Sequence, residues 1–193
     1  MIAADTGMSY LKHFKLKAPP FSLTPDPAFV YWSEQHTRAK SYLASTLVLS
    51  DGFVIVTGEV GCGKTTLIKA FLRELGPDVV CAVVSQTQLT PTQFLMAVLT
   101  EFGFKPFKKK KVELLDMLNM FLIDQYSSGK KIILIVDEAQ NLDASVLEEI
   151  RLLSGIETSN EKVLRIILSG QPELKHTLRK PELRQLLQRV APP

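Results

Sequence analysis

Short, unbroken apolar runs alternate along this chain with longer stretches of helical periodicity. Phe53–Thr57 (FVIVT), Val79–Val84 (VVCAVV), Lys131–Val136 (KIILIV) and residues 163–168 (VLRIIL) are brief and rich in β-branched side chains. Runs of that length and composition predict strands buried on both faces. Between them, apolar positions recur every three or four residues, which predicts helices over 33–49, 64–75, 90–102, 112–126 and 143–153. Two more helical segments, Glu173–Leu178 and 181–190, close the chain. Local signals agree with these boundaries. Thr90-Pro91 offers cap and first-turn chemistry, Asp143 is placed to cap its helix, and Gly76-Pro77 stops the helix that begins at Lys64. Strands alternating with helices predict an α/β fold with a parallel sheet and helices on both of its faces.

The N-terminal stretch departs from this rhythm. Residues 18–27 (APPFSLTPDP) hold four prolines in ten positions, which rules out a regular helix or a central strand. The expected organisation is a proline-rich arm, 1–35, packed on a core spanning 36–193.

Composition narrows the class. With 193 residues, 46% apolar and 22% charged, the chain suits one soluble hydrophobic core. A net charge of +3 does not by itself imply nucleic acid. Cys62 and Cys81 are too few for a disulfide framework and fit reduced cytoplasmic thiols. The start lacks a basic stretch followed by a long apolar run, and the apolar run 132–136 is far too short to span a bilayer. The expected location is the cytoplasm, with a piece of a longer membrane-tethered protein as a variant of that expectation.

The loop after the first strand carries the chemistry. Gly58, Glu59, Val60, Gly61, Cys62, Gly63, Lys64 and Thr65 spell G-x-x-x-x-G-K-[ST], followed by Thr66. Glycines allow a tight turn and close backbone approach, so successive N–H groups cradle phosphates at the start of a helix. Lys64 then reaches the β- and γ-phosphates, and the Thr65 hydroxyl ligates Mg²⁺. The run 132–138 (IILIVDE) delivers two carboxylates about 75 residues later. Asp137 is expected to hold Mg²⁺ through water, and Glu138 is the base that orients and deprotonates the attacking water. A plain helix cap is the alternative role for Asp137. The fourth run ends in Ser169-Gly170-Gln171. Ser169 is the candidate to contact the γ-phosphate or the water, against a simple strand-end turn.

Five stretches together resemble the AAA+ ATPases of the general secretion pathway A type (ExeA-like), which are related to transposition helper ATPases. They are PPFSLTPDPAFVYWSEQH, GEVGCGKTT, LTPTQFLMAVLTEFGF, LIVDEAQNL and LSGQPELKHTLRKPELRQLLQRV. The resemblance implies a three-layer P-loop NTPase of the AAA+ (ASCE) type that binds ATP with Mg²⁺. It implies a sheet with the third and fourth strands between the P-loop strand and the second, and an arm near the adenine. It places Arg189 where such proteins project an arginine finger into a neighbour's site, with Arg184 in reserve. A finger in trans implies homo-oligomers, as rings or filaments. A last core strand and a helical lid, which the resemblance leads one to expect after Val190, are not in this sequence, so hydrolysis is expected to suffer more than binding.

Three functions follow as alternatives. One is an ATPase that assembles or remodels a bacterial secretion or envelope machine through a protein partner. Another is a DNA-associated transposition helper, in which Lys105 and Lys108 to Lys111 grip phosphates. The third is a nucleotide-binding scaffold with negligible turnover. The absence of an Asn-Lys-x-Asp pattern is consistent with adenine rather than guanine.

Overall fold

The computed structural model describes residues 9–17, 19, 27, 30–48, 53–157 and 162–190. Most of the proline-rich arm therefore lies outside the described residues. After a short helix α1 (Ser9–His13) comes α2 (Glu34–Ser45), capped by the Ser33 side chain. The chain then alternates: β1 (Phe53–Thr57), α3 (Lys64–Arg73), β2 (Val79–Val84), α4 (Pro91–Glu101), α5 (Lys111–Ser127), β3 (Lys131–Val136), α6 (Ala144–Leu153), β4 (Leu164–Gly170), α7 (Glu173–Leu178) and α8 (Arg184–Leu187).

All pairings in the sheet are parallel, in the order β1-β4-β3-β2. The third and fourth strands thus lie between the P-loop strand and the second. Side chains alternate across a strand, and the two faces of this sheet bury different helices. Ile132, Leu134 and Val136 of β3, with Ile166 and Leu168 of β4, pack with α4, α5, α6 and α7. Ile133, Ile135 and Ile167 pack with Leu43 of α2 and Leu67, Ile68 and Phe71 of α3. The result is the expected three-layer α/β/α arrangement. No helix among the described residues is long and apolar enough to cross a membrane.

Several boundaries differ from the periodicity. The helix expected over 33–49 ends at Ser45, where the Thr46 hydroxyl turns onto the Leu43 carbonyl. The 64–75 helix ends at Arg73. The 181–190 segment divides into a 3₁₀ turn, Pro181–Leu183, and α8. The fourth strand runs on to Gly170, because Ser169 and Gly170 pair with Val56 and Thr57 of β1. Thr90 caps α4 with a reciprocal box: its hydroxyl accepts from Gln93 N–H, and its own N–H donates to Gln93 Oε1 at 2.9 Å. Asp143 occupies the cap position of α6 without a side-chain capping bond.

Candidate nucleotide site

Parallel sheets place their loops of chemical use at the C-terminal ends of the strands, and β1, β3 and β4 all deliver one here. After Thr57 the chain runs through Gly58, Glu59, Val60, Gly61 and Cys62, with the last four exposed, into Gly63 at the cap of α3. Gly63 has φ +86°, left-handed backbone that strains any side chain. The first N–H groups of α3 have no acceptors within the helix and carry its positive end. Lys64 folds back over the loop: its Nζ donates to the Gly58 carbonyl at 2.8 Å and the Glu59 carbonyl at 3.0 Å. The ammonium is thereby held over the loop. Thr65 and Thr66, in the first turn of α3, are half-buried.

The end of β3 meets this loop directly. Asp137 N–H donates to the Val84 carbonyl at 3.0 Å, which carries the β2–β3 ladder one residue beyond the strands. Its carboxylate is 5% exposed. Oδ2 accepts from Thr65 Oγ1 at 2.8 Å, across 72 residues of sequence, and Oδ1 accepts from Glu138 N–H at 3.0 Å. Two hard oxygen donors are thus in contact, a donor chemistry that fits a Mg²⁺ ion. No cluster of three or more His, Cys, Asp or Glu side chains converges among the described residues. A Mg²⁺ ion held by this pair would need further ligands from outside the protein, such as water.

Glu138 sits at φ +55°, a left-handed conformation uncommon outside glycine. Strain of this kind persists only where neighbours enforce it. The Glu138 backbone is held on both sides, its N–H by Asp137 Oδ1 and its carbonyl by Asn141 N–H at 3.1 Å, and its side chain is held by Gln140 in the 3₁₀ turn Ala139–Asn141; Gln140 bridges two strand ends. Its Nε2 donates to Glu138 Oε2 at 2.7 Å, and its Oε1 accepts from Gln171 N–H at 2.9 Å. Gln140 therefore ties the carboxylate at the end of β3 to the end of β4. Gly170 leaves the room: a Cβ there would lie 2.8 Å from Gln140 Oε1.

Ser169 alternates onto the same face as Arg165 and Ile167, the α3 side. It is fully buried, and its Oγ has no hydrogen-bond partner among the described residues. Orphaned buried hydroxyls are rare and call for a partner. Arg189 is not extended outward in this chain. It is half-buried, and its Nη1 donates to the Arg151 carbonyl at 3.1 Å and to Ser154 Oγ at 2.8 Å, at the end of α6. Arg184 is exposed.

Two side chains escaped the sequence reading. Gln140 is one; His36 of α2 is the other, with Nε2 2.9 Å from the Cys62 carbonyl in the loop. Both lie within the stretches that carry the resemblance, but neither is a phosphate-, metal- or water-binding type at a diagnostic spacing. A cleft of about 540 Å³ opens beside the loop between α2 and β1, lined by Gln35, Arg38, Ala39, Tyr42, Ile55 and Thr57, with Lys175 at its rim. That is within the size range of small-ligand pockets.

A family model described as an AAA domain matches residues 48–178. General secretion pathway protein A of Aeromonas hydrophila is 41% identical over 182 residues, which is 94% of this chain and 33% of that protein. The chain thus spans about a third of the length of the curated relative it matches. Among solved structures, the Aeropyrum pernix ORC2 protein (ADPNP–ADP complexes) is similar, with a TM-score of 0.64 at 16% identity, over 89% of this chain and 49% of that one. A Walker-type ATPase of Pyrococcus abyssi gives 0.54 at 20% identity, over 79% of this chain and 49% of that chain. At such identities these structures establish the α/β fold.

Proposed function

The chain belongs to the AAA domain family, and from that premise we propose that it binds ATP with Mg²⁺ in the Gly58-to-Thr66 loop and hydrolyses it. The observation that carries this reading is the 2.8 Å hydrogen bond between Thr65 and the buried Asp137. Residues far apart in sequence meet there as a ready pair of oxygen ligands, beside the first turn of α3 and the Lys64 ammonium folded over the loop.

The proposed roles follow from the geometry. Lys64 leaves the Gly58 and Glu59 carbonyls for the β- and γ-phosphates, trading two neutral acceptors for charged ones. Thr65 and Asp137 would hold Mg²⁺, which supplies charge neutralisation across the phosphates when bound. Glu138 orients the attacking water and takes its proton, held in place by Gln140. Ser169 offers its orphaned hydroxyl to the γ-phosphate or the water. The cleft between α2 and β1 takes the nucleoside. Arg189, once released from Ser154, or the exposed Arg184, acts in trans on a neighbour's site, which makes a homo-oligomer the working form.

The relative's name supports coupling of this cycle to a bacterial secretion machine, and a cytoplasmic site of action belongs to the same proposal. The transposition reading draws on the lysine run, yet Lys109 faces Glu113 at 3.6 Å and Lys111 is paired with Glu149 at 2.5 Å. Those pairings favour a structural use of part of the run over a phosphate grip. The test is steady-state ATP hydrolysis against protein concentration, with and without double-stranded DNA. Specific activity that rises with concentration and ignores DNA is expected. Activity independent of concentration refutes the trans arginine, and stimulation by DNA favours the transposition reading.

A further inference from the structure

We infer that His36 is a positioning residue for the phosphate loop: it holds the Cys62 carbonyl outward and thereby aims the Gly63 N–H at the phosphates. The inference rests on the nucleotide-binding reading above and adds a residue outside the loop to it.

The imidazole is held from both ends. Ser33 caps α2, its Oγ accepting from His36 N–H at 3.3 Å, and the same oxygen lies 2.7 Å from His36 Nδ1. The other ring nitrogen, Nε2, lies 2.9 Å from the Cys62 carbonyl oxygen. A carbonyl only accepts, so Nε2 carries the proton of this bond. The base of the brace is rigid. Leu43 of α2 is buried against the core shared with Leu67, Ile68 and Phe71 of α3, and Lys40 of α2 pairs with Glu74 at the end of α3 at 2.5 Å. The histidine is thus mounted on the helix that packs against α3.

The consequence follows from peptide geometry. The unit joining Cys62 to Gly63 is planar and trans, so its C=O and N–H point in opposite directions. A donor that fixes the carbonyl on the α2 side fixes the N–H toward the side away from α2, where the proposed phosphates would lie. Without that donor the peptide can flip by rotation about ψ of Cys62 and φ of Gly63, and a glycine, here at φ +86°, resists that rotation least. A flipped peptide would present an oxygen, not an N–H, to an anion. Gly63 also keeps the ring's approach open: a Cβ there would stand 3.3 Å from His36 Nε2.

The test uses His36→Leu, which keeps apolar bulk without a donor, and His36→Gln, which offers an amide N–H. Binding of ADP and of inorganic pyrophosphate is measured by calorimetry, alongside thermal melting and the proton–nitrogen correlation of the Gly63 amide. Loss of one well-made charge-assisted contact predicts about tenfold weaker binding for His36→Leu. His36→Gln is expected to recover most of that loss, and the Gly63 amide shift on adding pyrophosphate is expected to shrink in the Leu variant and return in the Gln variant. Equal affinity and equal Gly63 shifts for wild type and His36→Leu would overturn the inference. Equal loss in both variants, tracking a fall in melting temperature, would also overturn it, since only packing would be at stake. If wild-type protein itself binds no ADP, the nucleotide reading fails instead, and the two failures are distinguishable.

Discussion

Replacing Gly170 by alanine isolates the link between the ends of β3 and β4. The added methyl carbon would stand 2.8 Å from Gln140 Oε1, 3.2 Å from Gln140 N and 3.2 Å from Leu174 Cδ2. The amide oxygen can swing away, but the backbone nitrogen and the packed leucine yield only slightly. Moving Gln140 breaks its bond from Gln171 N–H and loosens its bond to the Glu138 carboxylate. Those losses amount to about 1–3 kcal/mol, and crowding in a packed site adds about 1 kcal/mol or more. Reduced freedom of the unfolded chain offsets about 0.4–1 kcal/mol. The net is a destabilisation of about 2 kcal/mol, which lowers the melting temperature by about 4–8 °C in a domain of this size. Because Glu138 loses its orienting partner, kcat is expected to fall about tenfold, with ADP affinity nearly unchanged. Gly103→Ala is the control. Its φ of +92° imposes backbone strain, but nothing lies within 4 Å of the new methyl. It should lower melting temperature without touching kcat. Thermal melting and steady-state kinetics on both variants decide the matter. If Gly170→Ala matches wild type in kcat, or if Gly103→Ala loses as much turnover, Gln140 does not position Glu138.

Other expectations follow from the same geometry. Glu138→Gln should retain ATP binding and lose nearly all turnover; hydrolysis at the wild-type rate would remove Glu138 as the base. Arg189→Ala should destabilise the fold by about 1–2 kcal/mol through its lost bonds to Arg151 and Ser154. If it also acts in trans, mixing it with Lys64→Ala restores activity that neither has alone; no recovery points to Arg184 or to no finger. Lys111→Met strands the Glu149 carboxylate, whose side chain is 3% exposed and whose Oε1 has no hydrogen-bond partner among the described residues. Urea denaturation should show a loss of about 3–5 kcal/mol. Glu149→Met, which returns only a half-exposed lysine to water, should lose far less; equal losses would contradict this asymmetry.

What the sequence disclosed and what it withheld divide along a physical line. β1, β2 and β3 were legible to the residue because continuous β-branched runs buried on both faces have few other uses. β4 runs on past its predicted end because Ser169 and Gly170, turn residues by type, are held in the ladder by Val56 and Thr57. That the glycine-rich loop joins β1 to α3, and that Asp137–Glu138 follows β3, was legible because glycines at fixed spacing mark a tight turn between a strand and a helix and an apolar run marks the strand. The left-handed Glu138, the bridge through Gln140 and the brace from His36 were not. Each depends on partners brought close only by tertiary packing, such as Gln171, 31 residues from Gln140, and Cys62, 26 residues from His36. Glu149 likewise sits in a helix whose pattern gives no hint that a lysine from the start of α5 will meet it.

The most direct test of the central claim is equilibrium binding of ATP, with and without Mg²⁺, to wild-type protein and to Lys64→Ala. The account predicts saturable binding by wild type that Mg²⁺ strengthens, and a loss of at least about a hundredfold in the variant, because an ammonium on the β- and γ-phosphates has no substitute in the loop. Undetectable binding by wild type, or equal binding by both proteins, would contradict it.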